Sequence, residues 1–228
     1  MTSPSLGVLM LDTRFPRPRG DIGNPATFPF PVRYRVVEGA YPRRVVLEAD
    51  PSLLDPFVAA ARRLQAEGCS AIATSCGFLA LFQAGMQAAV DVPVWTSSLL
   101  LLAGLDASLA DGRRAGVLTV DAASLTAAHL EAAGAAPDTP LEGLPPDAEF
   151  RSALLENRSS FDTGLAEAAT VAAALRLVHR HPEVGAIVLE CTNMPPYAEA
   201  VRAATGLPVH DITTLILSRL APSTSRAA

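Results

Sequence analysis

Apolar and polar positions along the chain fall into two alternating patterns. Short, nearly continuous apolar runs are separated by longer segments in which apolar residues recur every three or four positions. Gly7–Leu11 (GVLML), Val45–Leu47, Ala71–Thr74, Val92–Val94, Gly116–Val120 (GVLTV), Ala186–Leu189 and Pro208-Val209 are runs of the first kind and predict buried strands. Between the second and third runs, Leu54, Phe57, Val58, Ala61 and Leu64 sit at helical spacing behind Asp50-Pro51 and ahead of Gly68, which supply a start and a stop. Phe78–Val90, Ser124–Ala133, Leu165–His179 and Tyr197–Thr205 predict further helices. Strands alternating with helices specify an α/β fold of parallel sheets covered on both faces. Two stretches break the alternation. Phe15–Pro31 carries five prolines with Gly20, Gly23 and Asn24, which predicts an extended loop, either a surface excursion or a rim over a site. Pro137–Asp147 reads as a plain connector, and the tail from Ala221 as frayed.

The pattern also repeats. GVLMLD, residues 7–12, returns as GVLTVD at 116–121, and AIATSC, ending at Cys76, returns as AIVLEC, ending at Cys191. A Pro-Val pair stands 17 residues beyond each of these cysteines, at Pro93-Val94 and Pro208-Val209. The repeat predicts two similar open parallel-sheet domains related by a pseudo-two-fold, with the active-site cleft between them. Residues 1–97 plus 212–228 would form the first domain, carrying Cys76, and 98–211 the second, carrying Cys191. Each thiol then lies just past the C-terminal end of a strand, the edge where open parallel sheets bind ligands. It also lies at the start of the next helix, whose unpaired N–H groups and dipole are expected to lower its pKa. Cys69, at the start of a strand, reads as a core residue.

Composition narrows the chemistry. With 228 residues, half of them apolar, the chain can bury a core without disulfides or a structural metal. A net charge of −5 with 18% charged residues leaves no basic face for nucleic acid. All 18 basic residues are arginine, so lysine Schiff-base chemistry and the P-loop are excluded. The sequence shows no apolar run long enough to span a membrane and no leader, and its three cysteines lack CxxC spacing. Together these predict a cytoplasmic protein with no membrane partner. His179-x-His181 lacks a third ligand at metal-site spacing, and no GxGxxG follows a strand, so neither a metal nor a dinucleotide cofactor is expected. Arg14 is a candidate for a substrate carboxylate. His210 and Asp211, after a strand, are candidates for the cleft wall.

The pair TSCGF and ECTNMPPY, in two halves each led by GVL, resembles the aspartate/glutamate racemase superfamily. That group includes cofactor-independent amino-acid and hydantoin racemases, maleate isomerases and arylmalonate decarboxylases. The resemblance implies a two-base mechanism in which Cys76 and Cys191 exchange protons with opposite faces of a carbon next to a carboxylate or carbonyl. It implies that Asp12 polarises the site, and that Ser75, Gly77, Thr119, Thr192 and Asn193 donate to the substrate carboxylate or the enolate formed from it. Gly77-Phe78 stand where amino-acid racemases of the group have Asn-Thr, and Asn193 where glutamate racemases have His. Phe78 thereby implies a less charged or bulkier substrate, such as a hydantoin or an arylated or alkylated acid. The expectation is a cofactor-independent isomerase, a racemase of an amino acid or its derivative, with a homo-oligomer left open. The alternatives are an arylmalonate-type decarboxylase or lyase of the same superfamily, or a small-molecule-binding protein without turnover.

Overall fold

A computed structural model describes residues 5–220; the tail from Ala221 lies outside the described residues. The strands are β1 (Leu6–Leu11), β2 (Val32–Val37), β3 (Ala71–Thr74), β4 (Val94–Trp95), β5 (Arg114–Thr119), β6 (Leu141–Gly143), β7 (Val184–Leu189) and β8 (Val209–His210). The helices are α1 (Leu54–Ala66), α2 (Gln83–Gln87), α3 (Leu102–Ser108), α4 (Ala127–Ala132), α5 (Glu149–Leu155), α6 (Thr163–Arg180), α7 (Ala198–Thr205) and α8 (Ile212–Leu220). Two four-stranded, all-parallel sheets result, with orders β2-β1-β3-β4 and β6-β5-β7-β8. The two orders are the same order, as the repeat requires.

The recurring GVL has a packing cause. A Cβ on Gly7 would come within 2.9 Å of Leu64 on α1, and one on Gly116 within 3.0 Å of Leu177 on α6. Each half therefore lays one long helix directly on the start of its central strand. Both faces of β1 are buried, as a parallel sheet demands. Leu9 and Leu11 join the large core that runs into the second half through Leu118 and Val188, while Leu6, Val8 and Met10 face a smaller cluster with Ile212, Leu215 and Ile216 of α8. We propose on this basis that α8 belongs to the first domain and that residues 98–211 form the second.

Several predicted elements are corrected. Val45–Leu47 is no strand but part of a π-helical turn, Arg43–Leu47, whose buried Val45 and Val46 gave the apolar run; short apolar runs do not tell strand from helix. The missing strand is β2, VRYRVV, an edge strand whose interleaved arginines hide it. Phe78–Val90 splits into a 3₁₀ turn over Gly77–Phe82 and the short α2. The connector Pro137–Asp147 contains β6. Phe15–Pro31 is not a loose excursion. Phe15, Ile22 and Phe28 are buried, and the last two cover the face of β1 shared with α8, doing for the β1–β2 crossover what a helix would do elsewhere. Full burial of side chains of this size contributes about 1.5–3 kcal/mol each.

Candidate active site

Strands β3 and β7 end at Thr74 and Leu189, and one residue later, after Ser75 or Glu190, each reaches a cysteine, Cys76 or Cys191. The two strand ends are pinned to one another. Thr192 Oγ1 donates to the Ser75 carbonyl at 2.6 Å, and Ser98 Oγ donates to the Leu189 carbonyl at 2.7 Å. Both thiols face one inner pocket, walled by Leu11, Phe15, Val46, Phe78, Val120 and Leu154, with Gly77, Glu190, Thr192 and Asn193 at its polar end. Its free volume is about 30 Å³, the share of a single water molecule. An open groove of about 730 Å³ lies outside it, lined by Asp12, Arg14, Arg43, Arg151 and Glu156 among others; Pro42 and Leu155 line both spaces.

The residues singled out from the sequence divide by position. Cys76, Cys191, Ser75, Gly77, Phe78, Thr192 and Asn193 all line the inner pocket. Thr119 lies behind it, fully buried, and donates to Glu190 Oε2 at 2.6 Å. Asp12 and Arg14 line the outer groove instead, where Asp12 Oδ2 accepts from the Gly39 N–H at 3.2 Å. The Ser75 hydroxyl accepts from the Leu11 N–H at 2.8 Å, which ties β1 to the end of β3. Asp211 caps α8, accepting from the Thr214 N–H at 2.9 Å, and neither it nor His210 lines either space.

Two residues absent from that reading complete the site. Asp21, carried in by the proline-rich loop, accepts from Asn193 Nδ2 at 2.6 Å and from Arg17 Nη1 at 3.0 Å. That bond fixes the Asn193 amide so that its Oδ1 faces the Cys191 Sγ, 3.7 Å away, and accepts from it. Glu190 is fully buried at the end of β7, with Oε2 held by Thr119 and Oε1 without a partner among the described residues. A signal for Glu190 was present, since an acid between an apolar strand and a cysteine is a rare placement. Asp21 had none, because its contact spans 172 residues.

The electrostatics overturn the expectation of lowered thiol pKa values. Burial, then the neighbouring Glu190 charge, pushes both thiols well above the ordinary range. The N–H groups of Phe78 and Leu79 at Cys76, and of Asn193 at Cys191, pull the other way and lose. The turn after Cys76 is a six-residue 3₁₀ helix, too short a dipole to offset desolvation. Glu190 is itself raised by burial, to about 7, against the Thr119 hydroxyl that lowers it. Like charges repel more strongly in a buried site than in water, so ionisation of Glu190 and ionisation of either thiol oppose one another.

Gly77 is fixed by this carboxylate. A Cβ there would stand 2.2 Å from Glu190 Oε1 and 2.5 Å from the Glu190 carbonyl. Gly77→Ala is therefore expected to lower the unfolding free energy by about 2 kcal/mol in urea melts. An unchanged midpoint would mean that the two strand ends are free to part.

Comparison with known proteins follows the same lines. The family model described as Asp/Glu/Hydantoin racemase matches residues 40–220. A dimethylsulfoniopropionate lyase of Durusdinium sp. clade D is 33% identical over 214 residues, covering 91% of this chain and 71% of the relative. Dimethylsulfoniopropionate lyase 7 of Emiliania huxleyi (strain CCMP1516) is 31% identical over 227 residues, covering 96% of this chain and 67% of the relative. Among solved structures, unliganded arylmalonate decarboxylase superposes with a TM-score of 0.63 at 19% identity over 98% of this chain and 94% of its own. Glutamate racemase from Aquifex pyrophilus gives 0.58 at 14% identity, over 96% and 84%. At those identities the structures share the fold alone. The expectation of an isomerase is corrected by these sequence relatives, which are lyases by name. Among the described residues, no helix is long and apolar enough to cross a membrane.

Proposed function

The chain belongs to the Asp/Glu/hydantoin racemase family, and we propose that within it this protein is a carbon–sulfur lyase that eliminates a neutral thioether from a β-sulfonio carboxylate of the dimethylsulfoniopropionate type. The observation that carries this reading is a pair of thiols facing one apolar pocket, in a chain 33% identical over nine-tenths of its length to a dimethylsulfoniopropionate lyase. A thiolate takes the proton from the carbon next to the carboxylate. The C–H electron pair becomes the C=C bond, and the C–S pair leaves with sulfur, giving dimethyl sulfide and acrylate.

The pocket suits that reaction in two ways. The leaving group loses its positive charge as it departs, so a water-poor wall of Leu11, Phe15, Val46, Phe78 and Leu154 favours the neutral thioether over the sulfonium group. Negative charge that develops on the substrate carboxylate can be met by the N–H groups of Gly77 and Thr192, which line the pocket and have no protein acceptor among the described residues. Among the described residues no arginine or histidine lines the inner pocket, which speaks against a substrate with a second carboxylate. Cys76 is proposed as the base and Cys191 as a thiol that stays protonated toward Asn193. Thr119, Ser75, Thr192 and Asn193 position the groups around them through the bonds described above. Pro42 and Leu155 line both the inner pocket and the outer groove, which makes the groove the proposed route of entry.

The test is incubation of the purified protein with dimethylsulfoniopropionate, reading dimethyl sulfide in the headspace and acrylate by proton NMR. Equal amounts of both products are expected. Neither product, alongside carbon dioxide release from a 2-arylmalonate, would replace elimination with decarboxylation.

A further inference from the structure

The proposed elimination needs a thiolate, and the resting site favours two thiols. One further group in the pocket can accept a proton. Glu190 lines the pocket with Cys76 and Cys191, is 0% exposed, and holds Oε1 over the Gly77 Cα with no hydrogen-bond partner among the described residues. Its Oε2 is anchored by the Thr119 hydroxyl from β5, so the carboxyl cannot turn away to make its bonds elsewhere. An unpaired carboxylate oxygen in an apolar wall is costly unless it has a task or a proton. The groups that face this cluster are few. Arg17, paired with Asp21 on the proline-rich loop, acts on Cys76, Asp21 and Cys76 act on Cys191, and Cys191 acts on the buried Tyr197 phenol. None of these is a second base aimed into the pocket.

We infer that Glu190 is the resting base of the site and a third acid–base group beside the two cysteines, taking a thiol proton when substrate arrives and returning it to solvent after product leaves. The inference rests on the reading of a thiolate as the group that attacks the substrate proton. The proton count closes. The resting pair is Cys–SH with Glu190–COO⁻; transfer gives Cys–S⁻ with Glu190–COOH. Removal of the substrate proton restores Cys–SH while the thioether departs with its electron pair. Loss of one proton from Glu190–COOH to water resets the site, and that proton is the one that elimination releases.

The test uses Glu190→Gln, which keeps shape and removes charge, and Glu190→Asp, which keeps the carboxyl. Alkylation of Cys76 and of Cys191 by iodoacetamide is followed separately by peptide mass from pH 6 to pH 12, a window that reaches thiols held above the ordinary range. The midpoint of each profile is read rather than the rate, since access scales the rate alike at every pH. In the Gln variant the midpoint of at least one cysteine is expected to move down by about one pH unit or more, because a like charge has gone. Turnover of dimethylsulfoniopropionate at pH 8 is expected to fall by about 100-fold in the same variant, with partial recovery in the Asp variant. More reactive thiols with less turnover is a combination that a merely structural residue does not produce. Unmoved midpoints, or turnover kept in the Gln variant, would overturn the inference. A wild-type protein inert toward this substrate would overturn the lyase reading alone, and the midpoints would still decide whether Glu190 governs the thiols.

Discussion

Alanine at Cys76 is expected to cut dimethylsulfoniopropionate turnover by about 10³-fold or more, and alanine at Cys191 by roughly tenfold, with both proteins folded. The asymmetry follows from the number of protons that move. Elimination of a neutral thioether takes one proton from carbon and gives none back, so one thiolate suffices. The surroundings favour Cys76 for that task. Two N–H groups, of Phe78 and Leu79, support charge on its sulfur, whereas Cys191 has one, from Asn193. Cys191 also faces an acceptor, Asn193 Oδ1, whose direction is fixed because Asn193 Nδ2 donates to Asp21. An acceptor at a sulfur favours the thiol over the thiolate. Removing one sulfur from the pocket edge leaves a small void that costs about 1 kcal/mol, so thermal midpoints should stay within a few degrees of wild type. Equal losses in the two variants, with loss of α-proton exchange in D₂O in both, would assign the thiols to a reaction that moves two protons and would end the elimination reading.

Much of this was legible in the chain because the fold is written twice. GVLMLD with GVLTVD and AIATSC with AIVLEC placed both central strands and both thiols, and each pair reports the same local physics, a strand buried on both faces that ends in a turn. What escaped is non-local or marginal. Asp21 reaches Asn193 across 172 residues, and no periodicity encodes that. Strands β2 and β6 sit at sheet edges, the first broken up by Arg33 and Arg35 and the second only three residues long. The thiols depart from the sequence expectation for an energetic reason. A helix start lowers a thiol only while solvent or donors can carry the charge, and here burial and Glu190 outweigh the N–H groups that the sequence correctly placed. Glu190 occupies the repeat position of Ser75. The pseudo-symmetry is therefore broken at the residue before each cysteine, and a buried carboxyl of the pocket stands at the very position where the two halves differ.

That carboxyl should also leave a mark on stability that needs no substrate to see. In the folded protein Glu190 titrates at about 7, against an ordinary value of 4.5. Below pH 4.5 both folded and unfolded chains hold the proton, and the group has no effect on the balance. Between 4.5 and 7 the unfolded chain releases it while the folded chain keeps it, so this group's contribution falls as pH rises. Above 7 both forms are ionised, and the folded state carries the full cost of a buried charge. A displacement of that size is worth about 3 kcal/mol. Glu190→Gln removes the titration while keeping the acceptor for Thr119. The variant should therefore gain on wild type as pH rises from 5 and level off above pH 7, by roughly 5–10 °C in thermal midpoint for a chain of this length. His129 and His210, both lowered by burial, are the same in both proteins, so they cancel in the difference. The unpaired amide N–H of the variant adds a constant and no slope. Parallel midpoint curves across this range would show that Glu190 is already ionised at low pH and satisfied by a partner. Its part as the resting base would then need another source of the thiols' resistance to ionisation.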